Sequence, residues 1–267
     1  MKTVDLSIDF DFFIREKAIW DFGHRENSLF LNGIWDIRYS QIDLVRETDI
    51  KTFADFEPYQ IMSKLEEKGL KITKNTEFFL CESHLGIVTA FRGNNADMLI
   101  SMDAHHDMFG GAIEPCIEID GSKIDCGSWL NFFTDKKYYK KVLIVYPKWK
   151  DINDDLGKLK IPHKIVKWDK LPKNDYEVKR VFLCRSGCWV PPHHDKDFSL
   201  IAFMFSMKCM GHGSYDLIGE INPTEERNIN WDNVNKLKEF SEKAMRDYNE
   251  RKKMADSREF CSQRPKV

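Results

Sequence analysis

The chain has 267 residues, with 41 Lys plus Arg against 43 Asp plus Glu and a formal charge of −2, so there is ample length for one α/β core and no electrostatic reason to expect nucleic acid. No apolar run approaches the ~20 residues that a membrane span needs. Seven dispersed cysteines fit reduced thiols better than a disulfide framework, so a cytoplasmic protein is expected.

Residues 1–5 lead straight into a strand and do not read as a signal peptide. That strand, over 4–13, carries Asp9 and Asp11 on one face and Phe10 and Phe12 on the other. Acids in a β stretch are expensive unless edge-exposed or paired with something cationic. Residues 14–52 are irregular and aromatic-rich, either a lid or binding loop or a packed excursion. A helix is expected over 58–69 with Gly69 as its C-cap, and a strand over 76–81 running into Glu82-Ser83-His84. A short helix over 85–91 and a turn at Asn94-Asn95 lead to a buried strand over 98–102.

That strand breaks into Asp103-Ala104-His105-His106-Asp107. In an extended stretch Asp103, His105 and Asp107 share a face and converge on one point, which suggests a cation. A loop through Pro115 and Asp120-Gly121 follows, then a helix from Ser128-Trp129 and strands over 141–146, 164–168 and 180–184. Residues 191–195 read as a surface loop, 198–207 as a buried helix, and 216–223 as a last strand bearing Glu220. Residues 231–254 read as an amphipathic helix with Val234, Leu237, Phe240 and Met245 facing inward. The alternation of elements predicts one three-layer α/β domain over 1–267 with a mostly parallel sheet, ending in a C-terminal helix and tail over 231–267.

In a parallel sheet all carboxyl ends lie on one edge. The strand ends therefore gather Asp9 and Asp11, His84, the trio Asp103, His105 and Asp107, and Glu220. Two imidazoles and four aspartates suffice for two divalent ions; such ligation without thiolate suits Mn, Fe or Zn, and the carboxylate-heavy balance leans towards Mn2+. Such a pair lowers the pKa of a shared water, the means to attack an unreactive sp² carbon. A rival site is Cys184-x3-Cys188 with His193-His194, whose spacing is not a standard one for zinc.

These stretches resemble the arginase–deacetylase superfamily. There a strand ending Asp-Ala-His-x-Asp supplies three metal ligands, an earlier strand a His, and a Ser-Phe-Asp-Val-Asp-like strand two aspartates. Asp103-Ala104-His105-His106-Asp107 matches the first, His84 the second and Ser7-Ile8-Asp9-Phe10-Asp11 the third. Gly219-Glu220-Ile221-Asn222-Pro223 resembles the end of the last arginase strand, whose Glu pairs with the substrate guanidinium. The likeness is stronger still to the arginase-like group UPF0489, through Glu82-Ser83-His84, Ser128-Trp129 and the Asp-x-Asp-Phe-Phe strand.

The resemblance implies an arginase-like fold and two Mn2+ held by Asp9, Asp11, His84, Asp103, His105 and Asp107. It implies a peptide arginase that converts arginine side chains of a ribosomal precursor peptide to ornithine. Asp107 would then transfer the proton and Glu220 hold the guanidinium. Two departures stand out. The Asp-x-Asp strand comes first in the chain, a circularly permuted order, and Cys126-Gly127 stands where arginases carry their proton-shuttle His. That leaves His24, His106 or Asp107 to protonate the leaving group. Free arginine, agmatine-like and acetylated substrates are the alternatives within the superfamily. No Tyr motif of deacetylases is evident, and no groups for a free α-carboxylate or α-amine, which favours a side chain on a longer peptide. A zinc- or peptide-binding protein without catalysis is the remaining alternative.

Overall fold

A computed structural model describes residues 2–14, 28–41, 55–93, 96–109, 115–153, 156, 160–209 and 222–262. The apolar runs become strands of one sheet: β1 (Lys2–Asp9), β2 (Leu70–Lys71), β3 (Glu77–Cys81), β4 (Met98–Met102), β7 (Lys141–Tyr146), β8 (His163–Lys167) and β9 (Tyr176–Cys184). The order is β2-β9-β1-β4-β7-β8, with β3 also on β9, and every pair in it is parallel. β2 lies beside Tyr176 and Glu177, and β3 beside 180–184, so the two share one edge of β9. Although first in the chain, β1 lies between β9 and β4. Its Asp-x-Asp end is therefore next to the strand that delivers Asp103.

Successive residues of a strand face opposite sides, and the core divides accordingly. Ile100 and Met102 join Leu6, Ile8 and Leu183 on one face, against Ile34 and Trp35 of α1 (Ser28–Gln41), Ile61 and Leu65 of α2 (Ile61–Glu67), and Phe198 and Phe205 of α5 (Asp195–Lys208). Leu99 joins Val142, Ile144 and Phe182 on the other, against Ile87 of α3 (Ile87–Ala90) and Trp129 and Phe133 of α4 (Trp129–Lys136). Helices on both faces of a parallel sheet make the expected α/β layering. Gly69 ends α2 at φ +79, with its carbonyl accepting from Tyr176 N–H to start β9 beside it.

Several expectations change. The first strand stops at Asp9, and Phe10–Phe13 form a 3-10 turn, so Asp11 is not on the strand and Phe10 and Phe12 are both buried in one core. Part of the 14–52 stretch is helix α1, whose Trp35 and Tyr39 are buried; the rest of that stretch lies outside the described residues, as do Asn94-Asn95. The loop around Asp120-Gly121 is a hairpin of β5 (Ile117–Ile119) and β6 (Ser122–Ile124), with both turn residues at positive φ, the usual chemistry of a two-residue hairpin turn. Residues 191–195 are not a surface loop, because His194 and Asp195 are buried and Tyr39 Oη is 2.6 Å from His193 Nδ1. Helix α5 buries one face only, leaving Leu200, Phe203 and Met207 exposed. On α6 (Trp231–Ser262) Val234 is buried, but Phe240 is 73% exposed and Met245 58%, so they do not face inward. Among the described residues no helix is long and apolar enough to cross a membrane.

Candidate metal centre

The carboxyl ends of β3, β1 and β4 bring six predicted residues together. His84 opens a 3-10 turn capped by the Ser83 hydroxyl, which accepts from Leu85 N–H. Its Nδ1 lies 3.1 Å from Asp9 Oδ2, 3.1 Å from Asp103 Oδ2 and 3.0 Å from Asp107 Oδ2. His105 Nδ1 lies 2.9 Å from Asp11 Oδ2 and 3.6 Å from Asp103 Oδ1. Asp9, His84 and Asp103 form one group able to hold an ion, and Asp11, Asp103 and His105 a second, with Asp103 common to both. The four aspartates and His84 are buried, whereas His105 is half-buried beneath the Trp189 ring, 4.7 Å away.

The convergence of Asp103, His105 and Asp107 does not come from an extended chain. Strand β4 ends at Met102, and Asp107 takes a left-handed φ of 49°. Local bonds set the aim instead. His105 N–H donates to Asp103 Oδ1 (2.7 Å) and Ala104 N–H to Asp11 Oδ1 (3.1 Å). Asp9 Oδ1 accepts from Asp11 N–H (3.0 Å), which starts the 3-10 turn and places the second aspartate beside the first. Trp129 Nε1–H donates to Asp107 Oδ2 (2.5 Å), and Leu130 N–H to the Asp107 carbonyl (3.1 Å), so the start of α4 pins the left-handed residue.

This geometry fits divalent ions. One Nδ1–H cannot serve three carboxylates, yet three carboxylate oxygens stand at 3.0–3.1 Å from His84 Nδ1. Donors at right angles around an ion at about 2.1 Å are spaced about 3 Å apart. Asp11 Oδ2 and Asp103 Oδ2 are buried and accept no hydrogen bond despite their nearness to an imidazole. Nitrogen and oxygen atoms that crowd a common point in this way are what a cation would satisfy. His84 Nε2 sits 2.8 Å from Ser7 Oγ, an outer contact that fixes the ring and leaves Nδ1 to the cluster.

Charge sets the pH response. Burial pushes Asp107 up to about 7, with Asp103 adding to it. Burial, then Asp9 and Asp103, pushes Asp11 well above the usual carboxylate range. Burial opposes a proton on His84, but Asp103, Asp107 and Asp9 outweigh it and raise its pKa. For Asp103 burial is likewise outweighed, by His105 and His84, and its carboxyl is held below the usual range. Groups raised in the folded state contribute stability at low pH and lose it as pH rises through their folded pKa. Asp11, Asp107 and His84 all act in that direction, while the contribution of Asp103 is lost only at pH below its unfolded value near 4. The metal-free protein should therefore become less stable from about pH 4 to 8. Protons and divalent ions compete for the same atoms, so Mn2+ should raise the melting temperature more at pH 8 than at pH 5. Thermal melts at both pH values, with EDTA and with Mn2+, check this.

The Nδ1 of His106 accepts from Met108 N–H at 3.1 Å and its ring meets Phe109. Glu220 and His24 lie outside the described residues. The described strands leave no place for a further strand between the ligand-bearing ones, since β9 and β4 flank β1 and β1 and β3 flank β9. The Cys184–Cys188 alternative gains no support: among the described residues the groups able to hold a metal contain no cysteine, and Cys184 Sγ is 3.2 Å from the Glu82 carbonyl. Sequence reasoning gave no role to Ser7, Trp129 and Ser186, which touch His84, Asp107 and Asp9 respectively. Ser7 and Trp129 stand in the Ser7–Asp11 and Ser128-Trp129 stretches, whereas Ser186 carries no sequence signal.

No family model, curated protein or solved structure matches this chain.

Proposed function

We propose that the chain is a metal-dependent hydrolase of the arginase–deacetylase superfamily, acting on arginine side chains in a peptide to give ornithine and urea. The observation that carries this reading is the pair of Asp/His groups sharing Asp103. Divalent ions there, Mn2+ by the carboxylate-rich donor set, would supply Lewis-acid activation of water at neutral pH. Asp9, His84, Asp103 and Asp107 would hold one ion, and Asp11, Asp103 and His105 the other.

The protein's own groups set up the rest. With Nε2–H of His84 donating to Ser7 Oγ, Nδ1 presents its lone pair to the cluster. Asp107, steadied by the Trp129 indole, takes a proton from the attacking water and delivers it to the departing Nε. Water adds to the guanidinium carbon, the bond from that carbon to Nε breaks, and urea and the ornithine amine leave. Glu220 is assigned to the guanidinium by its Glu-x-Asn-Pro context, through a charge-assisted pair that fixes the attack geometry.

Incubation of Mn-loaded protein with free arginine and, separately, with an arginine-containing peptide tests the reading, with mass spectrometry following ornithine. Peptide conversion without free-arginine turnover is the expected result. Turnover of free arginine would make it an ordinary ureohydrolase. With metal bound and neither substrate converted, the guanidinium assignment fails and acetylated amines become the next substrates to try.

A further inference from the structure

Four non-glycine residues among those described have a left-handed backbone: Asp107, Asp120, Lys137 and Ser186. Asp120 is in a hairpin turn and Lys137 caps α4, both ordinary places for it. The other two flank the metal centre. A non-glycine residue held at φ near +50° costs free energy and persists only where its surroundings impose it. Asp107 is a ligand candidate; Ser186, at φ 49, is not, and its position calls for a separate reason.

Ser186 lies just past β9, in the turn that follows the Asp9–Cys184 register pair. Its hydroxyl donates a hydrogen bond to Asp9 Oδ2, the same oxygen that stands 3.1 Å from His84 Nδ1. Both residues are buried. The turn is tied down on every side. Ser186 N–H donates to the Glu82 carbonyl (2.9 Å), and its own carbonyl accepts from Trp189 N–H (2.7 Å) and Val190 N–H (3.1 Å). The Gly187 carbonyl accepts from Trp35 Nε1 (2.7 Å) and Arg227 Nη1 (2.6 Å), the Cys188 carbonyl from Arg38, and the Val190 carbonyl from Arg227 Nη2 (2.7 Å). Buried donors from α1 and from the segment before α6 thus enforce the conformation that aims one hydroxyl at one carboxylate.

We propose that Ser186 is a positioning residue of the metal centre, fixing Asp9 so that Oδ2 faces the point shared with His84 Nδ1 and Asp103 Oδ2. With Asp9 Oδ1 already engaged by Asp11 N–H, the hydroxyl removes the remaining freedom of that carboxylate to rotate away. The inference rests on the metal-centre reading but not on the identity of the substrate.

The test uses Ser186→Ala and Ser186→Gly in the full chain. Both delete the hydroxyl, but glycine also relieves the left-handed strain, so it separates the bond from the backbone. Threonine is no conservative control, because a β-branched residue is a worse outlier at this φ. Metal-free proteins are titrated with Mn2+, with free Mn2+ read by electron paramagnetic resonance and apo stability by thermal melts in EDTA. Both variants should lose about 10–100-fold in Mn2+ affinity, the usual effect of removing an outer partner of a ligand. Ser186→Gly should melt within a few degrees of the wild type. Isotherms that superimpose on the wild type overturn the proposal. A wild type that takes up no Mn2+ overturns it together with the metal-centre reading. Mn2+ uptake that depends on Ser186, in a protein that leaves arginine intact, upholds it while the substrate assignment falls.

Discussion

Asp103→Asn is expected to abolish arginine-peptide turnover and to weaken Mn2+ binding by more than the roughly 100-fold that loss of an outer-shell partner reaches. Asp103 is the one residue common to both groups, so removing its charge strips a ligand from each. The comparison that gives this force is Asp11→Asn, which touches only the group with His105. Metal analysis after dialysis should show two ions per chain in the wild type, one in Asp11→Asn and none in Asp103→Asn. The Asp11 variant should also melt higher than the wild type at pH 8 in EDTA, since it deletes a buried carboxyl that burial and its neighbours already drive towards the neutral form. Retention of both ions by Asp103→Asn would dismantle the shared-ligand arrangement.

Arg185→Leu is expected to destabilise the metal-free protein by about 3–5 kcal/mol, the usual result of removing one partner of a buried ion pair. Arg185 and Glu82 are both buried; Nε donates to Glu82 Oε2 at 2.7 Å, Nη2 stands 2.6 Å from the same oxygen, and Nη1 donates to the Glu225 carbonyl at 2.6 Å. Leucine would leave the buried Glu82 carboxyl without this partner, and its Oε1 already has no hydrogen-bond partner. At about 2–4 °C per kcal/mol for a chain of this size, the melting temperature should fall by roughly 10 °C. The double variant with Glu82→Leu should recover much of the loss, because replacing both charges removes the uncompensated one. Urea denaturation of the four proteins measures this coupling, and a loss below about 1 kcal/mol for Arg185→Leu would show the pair to be solvated.

The Asp/His cluster is legible because its residues stand at the ends of apolar runs, and a parallel sheet sends all such ends to one edge. Strands β4 and β7 fall where their apolar runs place them, at 98–102 and 141–146. Strand alternation does not account for the convergence of the Asp103–Asp107 stretch, however. Period-two alternation assumed extended backbone, whereas the real aim comes from a left-handed Asp107 held by α4, a contact 22 residues away in sequence. Ser186 was invisible for a similar reason, as its partner is 177 residues distant and a lone serine after a strand has no pattern. The inward assignment of Phe240 and Met245 failed because helical periodicity names a face without saying how far along the helix the core extends.

The placement of β1 also bears on how the protein is made. The strand that leaves the ribosome first among those described is completed by one of the last, since Asp9 pairs with Cys184. Until about residue 186 is available, a nascent chain has β1 with one open edge and Asp9 without its serine partner. Contacts this distant in sequence form slowly, and unpaired strand edges invite association with other chains. Asp9 therefore meets its serine partner only after every other described strand has been made, so the Asp/His cluster is completed late among the contacts of the sheet.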